Sequence, residues 1–317
     1  MVENSEPGVV RFAALIRTTG ARPLPLLDAL QSLALQSLPC QPLVIVHGDA
    51  NACREVNEVC SQAGLGLAPI VLHADNPHRK RGYPINVGLE YSSTRLPDVE
   101  YVFMLDDDDV VYPFFTRTMA AAFFTSGADV VYAASNRREP GRMPELGYSP
   151  RPIAHLLREN FITSNSYAIR LAAIRRSGLR MNEEWDQTED WDFLLRMLES
   201  GFHFHPIPIA VSEFRVTSDG NLPIKREPAV WNDISLQIRR YINTTSFRLP
   251  GSEVVSLCAN PAASAADSLE AETISGLRER IRDLENSLSW RWTKPLRYVF
   301  GLVQSLRAQA GRRVTGA

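Results

Sequence analysis

"YVFMLDDDDVVYP", residues 101–113, sets an apolar run against four consecutive aspartates, after which an apolar run resumes. Packing alone gives no reason for that arrangement. Like charges repel, and a carboxylate beside a core is costly unless something compensates it. Two readings are open: a solvated acidic turn, or a cluster that holds a cation. The position of the run in the fold decides between them.

Upstream, short apolar runs alternate with helical patterns. "VVRFAALIR" (9–17) reads as a strand, and Pro23 to Leu38 as a helix with Leu26, Leu27, Leu30 and Leu33 on one side and Ala34 beside them. "LVIVH" (43–47) and "PIVLH" (69–73) are the next strands, separated by a helix through Val56 and Val59. Residues 84–93 look helical, and "YVFML" (101–105) is a fourth strand. This βαβαβαβ rhythm predicts an α/β fold, a Rossmann-like, mostly parallel sheet with helices on both faces. Ligands of such sheets bind beyond the carboxyl ends of the strands. The four aspartates lie at such an end, which favours the cation-binding reading.

Downstream, the pattern predicts a helix at 114–126, a strand at 129–134 and a Pro/Gly/Arg-rich loop at 137–152. A strand-like "SNSYAIR" (164–170), a helix at 188–200, "PIPIAVSEF" (206–214) and a helix at 228–243 follow. The globular part is expected to span residues 1–245. Residues 246–268 are small and polar with prolines and read as a linker. Within the tail, 269–317, Ile274, Leu277, Ile281, Leu284 and Leu288 form a short heptad seam.

The 317 residues are 44% hydrophobic and 22% charged, ordinary for a globular chain with a large core. The net charge of −2 hides an asymmetry. No acidic residue follows Glu285, while Arg291, Lys294, Arg297, Arg307, Arg312 and Arg313 do, so the chain before them carries −8. Cys40, Cys53, Cys60 and Cys258 form no CxxC pair, which argues against a zinc site or disulfide framework. The acidic start "MVENSEPG" does not read as a signal peptide, and no apolar run has the length of a membrane span. A cytoplasmic protein is expected. The tail, "SLSWRWTKPLRYVFGLVQSLR" (287–307), interleaves cations with Trp290, Trp292, Leu296, Val299 and Phe300. That pattern suits a membrane interface or a partner helix, with docking on its own domain or a second subunit as the alternative, so peripheral attachment at the inner face of the cell membrane is the expectation.

Three groups of residues carry possible chemistry. In extended backbone Asp106 and Asp108 share a face, with Asp107 and Asp109 turned toward backbone amides or solvent. Oxygen ligands suit magnesium or manganese, which are often held by one or two carboxylates plus substrate phosphates. "EEWDQTEDWDFLLRM" (183–197) leads Glu189, Asp190 and Asp192 into a helix. The helix dipole alone explains acids there, yet an acid at such a start also faces a cleft, as a general base must. Arg17 and Thr18 end the first strand, and "HRKRGYPINVG" (78–88) opens a helix with His78, Arg79, Lys80 and Arg81. Arginines and helix starts bind phosphate, so a nucleotide diphosphate is the simplest shared ligand. Asn86 and Gly88 would shape this helix start.

The order "RTTGARP", "VHGD", "RGYPINVG", "VFMLDDDDVVYP" and "TEDWDFLLR" over residues 9–217 resembles family-2 glycosyltransferases of the GT-A fold. The tail segment is similar to one trailing several bacterial envelope-polysaccharide glycosyltransferases. The resemblance implies inverting transfer of a hexosyl or deoxyhexosyl unit from a nucleotide-diphosphate sugar to a hydroxyl of a glycan or lipid-linked acceptor. It implies Asp106 as the nucleotide-facing acid, Asp108 as the ligand of Mn2+ or Mg2+, and Asp190 as the catalytic base. Arg17, Thr18 and Arg81 match nucleotide-contacting positions. The family's second strand often ends in two base-reading acids, whereas this chain has His47, Gly48 and Asp49; Asp49 takes that role displaced by one. Arg215 matches a loop that closes over the donor. Ser164 and Asn165 are candidates for the sugar site, Trp185 and Trp191 for stacking on an acceptor, and His203 and His205 for sharing a strand face. A sugar nucleotidyltransferase would want a Gly-rich phosphate loop, and "RTTGARP" is a poor one. A non-catalytic carbohydrate- or partner-binding protein on the same scaffold has no need of Asp108 and Asp190 together. A calcium-binding module wants spaced ligands, and these aspartates are contiguous.

Overall fold

A computed structural model describes residues 12–47, 49–76, 80–185, 187–216 and 228–258. The chain divides into a unit of residues 1–257 and a second of residues 258–317, of which only Cys258 is described. The heptad seam, the basic tail, Gly48, His78 and Arg79 therefore lie outside the described residues.

The first half follows the expected alternation: β1 (Phe12–Thr18), α1 (Pro23–Ala34), β2 (Cys40–His47), α2 (Ala52–Gln62), β3 (Ile70–Ala74), α3 (Gly82–Arg95) and β4 (Tyr101–Asp106). Pro23 opens α1, where its fixed φ suits a helix start and its missing N–H costs nothing. The strands run parallel in the order β3-β2-β1-β4. Neighbouring residues of β1 serve opposite cores. Phe12, Ala14 and Ile16 pack with α1 and α2, while Ala13 and Leu15 pack with Ile85 and Leu89 of α3. Burial on both faces is why this strand reads as a continuous apolar run.

Beyond β4 the pairing is mixed. The second half contains β5 (Val110–Val111), α4 (Phe115–Ser126), β6 (Val130–Arg138), β7 (Glu145–Tyr148), β8 (Tyr167–Arg170), α5 (Leu171–Ser177), α6 (Glu189–Glu199) and β9 (Phe204–Arg215). The sheet continues β4-β8-β6-β9-β5, with β7 hairpinned onto β6. β8 lies antiparallel to both β4 and β6, whereas β9 is parallel to β6. The loop expected over 137–152 is thus partly a hairpin. Gly147 permits it: a Cβ there would fall 2.5 Å from Arg137 Cβ. Helices cover both faces, as expected, with α1, α2 and α4 on one side and α3, α5 and α6 on the other.

Two helices end the described chain, α7 (Pro228–Thr244) and α8 (Gly251–Cys258). The second falls inside the span whose composition reads as a linker. It docks on residues 153–158: Glu253 Oε2 accepts from the Ala154 amide at 3.0 Å, and the Arg158 guanidinium donates to the Leu257 carbonyl.

Candidate active site

Register alone brings the first two charged groups together. Arg17 on β1 lies opposite Asp106 on β4, at the carboxyl edge of the parallel strands. Arg17 Nε donates to Asp106 Oδ1 at 2.7 Å, and its Nη1 donates to Glu189 Oε1 at 2.7 Å and to the Arg81 carbonyl at 3.2 Å. Arg81, just before α3, lies 3.4 Å from Asp106 Oδ2 and 3.3 Å from Glu189 Oε1. Two guanidinium groups and two carboxylates from four elements so form one neutral, largely buried network. The Arg17 side chain is 11% exposed and fully engaged, whereas that of Arg81 is 39% exposed. Burial opposes ionisation of Asp106, but Arg17 and Arg81 outweigh it and hold its pKa at about 2. Glu189 is likewise held below its ordinary value, against its burial, by Arg81 and Arg17.

The four aspartates are not equivalent, and their division differs from simple alternation. Asp109 N donates to Asp106 O at 3.1 Å, so the chain turns at once after β4. Asp107 does not face away: Thr18 Oγ1 donates to its Oδ2 at 2.6 Å, and Arg22 bridges it to Asp108. Asp109 is buried and accepts from Asn165 Nδ2 at 3.0 Å and the Arg215 amide at 2.9 Å. Neither Asp107 nor Asp109 reaches solvent, each being 2% exposed. Their burial raises the pKa of Asp107 to about 6 and that of Asp109 well above the usual range. Asp108 is raised as well, by burial and then by the charge of Asp106.

Among the described residues no group of three His, Cys, Asp or Glu side chains is arranged around a metal position. A Mg2+-like ion needs only one or two protein carboxylates when phosphate oxygens complete its shell. The acids fit that lesser requirement. They gather at one strand end, and of the two that Arg22 bridges Asp108 is the more accessible, with 11% of its side chain exposed against 3% for Asp107. Arg22 already sits on both, so an ion reaching Asp108 competes with a guanidinium.

Asp190 follows Glu189 at the start of α6. Asn160 Nδ2 donates to its Oδ2 at 3.1 Å, and the Trp191 amide donates to its Oδ1 at 2.8 Å. Burial and then the neighbouring Glu189 charge raise its pKa to about 6. Thr188, immediately before this pair, adopts a left-handed φ of 58°. That conformation is costly for a β-branched residue and collects at functional sites, at about 1–3 kcal/mol each.

The remaining sequence candidates divide into supports and outliers. Thr18 also accepts from the Gly20 amide at 3.0 Å, so it ties the turn after β1 to Asp107. Asn86, fully buried, binds the Met181 carbonyl and amide and Glu183 Oε1, at 2.7–2.9 Å, fixing α3 to the segment that leads into α6. Gly88 packs on Leu15 and Ile45 of the sheet. Asn165, also buried, supports Asp109 from a short 3-10 turn that includes Ser164. Arg215 binds Glu213 and Asp28 at 2.9 Å, linking β9 to α1. Asp49 is exposed, and the Asn51 amide that it accepts, at 2.9 Å, lowers its pKa. Trp191 is core, its indole N–H on the Leu156 carbonyl at 2.8 Å, whereas Trp185 is partly exposed. Of His203 and His205, only His205 lies within β9. Sequence reasoning missed Arg22 and Asn160, and gave Glu189 only a helix-dipole role. The Arg22 signal was present as a lone cation in the turn facing four acids.

No protein-family model matches the sequence, and the search of curated proteins found no match. Solved structures are similar in fold. S. aureus TarS 1–349 in complex with UDP has a TM-score of 0.56 at 17% identity, covering 75% of this chain and 67% of that one. S. aureus TarS 1–349 in complex with UDP-GlcNAc has a TM-score of 0.58 at 15% identity, covering 75% and 68%. A longer S. aureus TarS structure is covered over 41% of its length, with a TM-score of 0.56 at 16% identity. The mixed α/β architecture is the GT-A arrangement expected from the motifs.

Proposed function

We propose that this protein is an inverting, metal-assisted glycosyltransferase that moves a sugar from a nucleotide-diphosphate sugar to a hydroxyl. The observation that carries the reading is the opposite tuning of Glu189 and Asp190 at the sheet's carboxyl edge. Arg17 and Arg81 hold Glu189, while Asp190, on the Asn160 amide and the Trp191 N–H, is raised above its ordinary value by burial and by the Glu189 charge. A carboxylate raised above its ordinary value is the better proton acceptor in the transition state.

In this reading Asp190 takes the proton from the acceptor hydroxyl. The hydroxyl oxygen bonds to the anomeric carbon from the face opposite the diphosphate, the carbon–oxygen bond to the diphosphate breaks, and the configuration inverts. Arg81, with its exposed guanidinium, meets the diphosphate, while Arg17 and Asp106 hold Arg81 and the nucleotide edge in place. Thr18 keeps the turn fixed, and Asp49 lies beside the nucleobase. Asp108, with Asp106 near it, would hold Mn2+ or Mg2+, which supplies Lewis-acid stabilisation of the leaving diphosphate. The UDP and UDP-GlcNAc complexes of TarS support uridine nucleotides as first probes. The acceptor is a glycan or lipid-linked saccharide of a polysaccharide or envelope pathway, met at the cytoplasmic membrane face through residues 269–317.

The test is a thermal-shift titration of the full chain with UDP, GDP and dTDP, with and without Mn2+. At a hundredfold excess over Kd a ligand adds about 2.7 kcal/mol. One nucleotide is expected to raise Tm by several degrees, more so with Mn2+. Unchanged melting with all three would sink the reading.

A further inference from the structure

A second feature of α6 is not used by this chemistry. A cavity of about 350 Å³ lies between α6, α7 and the segment leading into α6. Its lining is Asn182, Trp185, Asp192, Arg196, Gln237 and Tyr241. Asp192 and Arg196 are one turn apart on α6, and Gln237 and Tyr241 are one turn apart on α7, so each helix presents one side-chain pair. Asp190 and Asp192 are two residues apart, which turns them to different sides of α6. The cavity therefore flanks the proposed base without including it.

The polar atoms are partly committed. Arg196 Nε donates to Asp192 Oδ2 at 2.9 Å, and its Nη2 to the Arg180 carbonyl at 2.7 Å. Asn182 Oδ1 accepts from the Glu184 amide, Gln237 Nε2 donates to Asp233, and the Tyr241 hydroxyl donates to Glu199. The Trp185 indole N–H, Asn182 Nδ2, Arg196 Nη1, Asp192 Oδ1 and Gln237 Oε1 have no protein partner among the described residues. Three donors and two acceptors on the lining residues are thus available to a ligand, beside the aromatic rings of Trp185 and Tyr241. Hydroxyl groups both donate and accept, and the C–H face of a pyranose stacks on an aromatic ring. The volume is at the lower end of ligand sites. The Asp192–Arg196 pair cancels its own charge, and Glu199, which holds the Tyr241 hydroxyl, adds a negative one, which disfavours an anionic ligand.

We propose that this cavity binds a neutral sugar residue of the acceptor chain, with Trp185 as the stacking platform. The assignment to the acceptor rests on the glycosyl-transfer reading, whereas saccharide binding itself does not. The test is saturation-transfer NMR on the full chain with maltotriose, cellotriose and chitotriose, beside a UDP thermal shift. At least one trisaccharide is expected to receive saturation on its ring C–H protons. Trp185→Ala should weaken that binding about tenfold, and Gln237→Ala, on an exposed helix face, should weaken it several-fold; both variants should keep the wild-type response to UDP. If no trisaccharide binds, or binding is equally tight in both variants, the inference is overturned. If saccharide binding behaves as expected while UDP leaves Tm unchanged, the cavity assignment holds and the transfer reading falls.

Discussion

Glu189 and Asp190 are neighbours of similar chemistry, yet burial acts on both and only one is compensated. Glu189 meets two guanidinium groups, whereas Asp190 meets an amide, a backbone N–H and the charge of Glu189. Two outcomes follow at the proposed base. Asp190→Asn should lower kcat by about 10²–10⁴ with nucleotide affinity unchanged, measured by donor turnover and calorimetry. Glu189→Gln should move the acid limb of the kcat/KM–pH profile to lower pH than in the wild type, because the Glu189 charge contributes to raising Asp190. Removing a neighbouring negative charge makes Asp190 easier to ionise, so the limb shifts to lower pH; an upward shift would contradict the coupling. Arg22 tests the opposite sign. It competes with any cation at Asp108, so Arg22→Gln should tighten Mn2+ binding in calorimetry while lowering the metal-free Tm, because Asp107 and Asp108 lose their counterion. Weaker Mn2+ binding would remove Arg22 as a competitor.

At the scale of elements, the site depends on how closely α3 approaches the segment before α6. Gly82 begins α3, and a Cβ there would lie 2.0 Å from the Asn182 carbonyl oxygen, a backbone atom with little room to move. Gly88, mid-helix, would meet only the tips of Leu15 and Ile45, at 3.1 Å. Gly82→Ala should therefore cost about 2 kcal/mol or more and lower Tm by roughly 5 °C. Gly88→Ala should be close to neutral, since a gain of about 1 kcal/mol in helix propensity offsets the tighter contact. Equal melting of the two variants would show that the α3–182 contact is not tight. The same elements show what the sequence conveyed. β1 to β4 and the helices between them were legible, because strands buried on both faces announce themselves as apolar runs. β5 and β7 were not. β5 has two residues, and β7 pairs in a segment rich in Pro, Gly and Arg. β9 pairs with β6 through register shifts at Ala133 to Ser135, which break the period-2 pattern. α8 was hidden by a small, polar composition that signals a linker, and its anchor, Glu253 on Ala154, spans 99 residues. Asp106 and Arg17 were legible as strand-end residues. The partners of Asp107 and Asp109 were not, since Asn165 is 56 residues from Asp109.

The whole molecule is divided by charge more sharply than by length. The chain before residue 286 carries a net −8, while Arg291, Lys294, Arg297, Arg307, Arg312 and Arg313 stand on the acid-free stretch 286–317 with Trp290, Trp292 and Phe300. The net-negative chain up to residue 285 disfavours an anionic bilayer, and the cationic stretch after it favours one. Each cation near an anionic surface contributes about 1 kcal/mol, and the interleaved aromatic residues add interfacial burial. On that arithmetic the six cations would give reversible attachment. Among the described residues no helix is long and apolar enough to cross a membrane. In flotation assays the full chain should bind vesicles containing phosphatidylglycerol and leave phosphatidylcholine vesicles in solution. Binding should fall steeply between 0.05 and 0.5 M salt, roughly the range over which screening shortens to a few ångströms. A chain ending at residue 258 retains the arginine network, Asp190 and the docked α8, and should keep its nucleotide thermal shift while losing vesicle binding. Equal flotation of the two chains would assign any membrane contact to the globular part, and salt-independent binding would assign it to apolar insertion instead of charge.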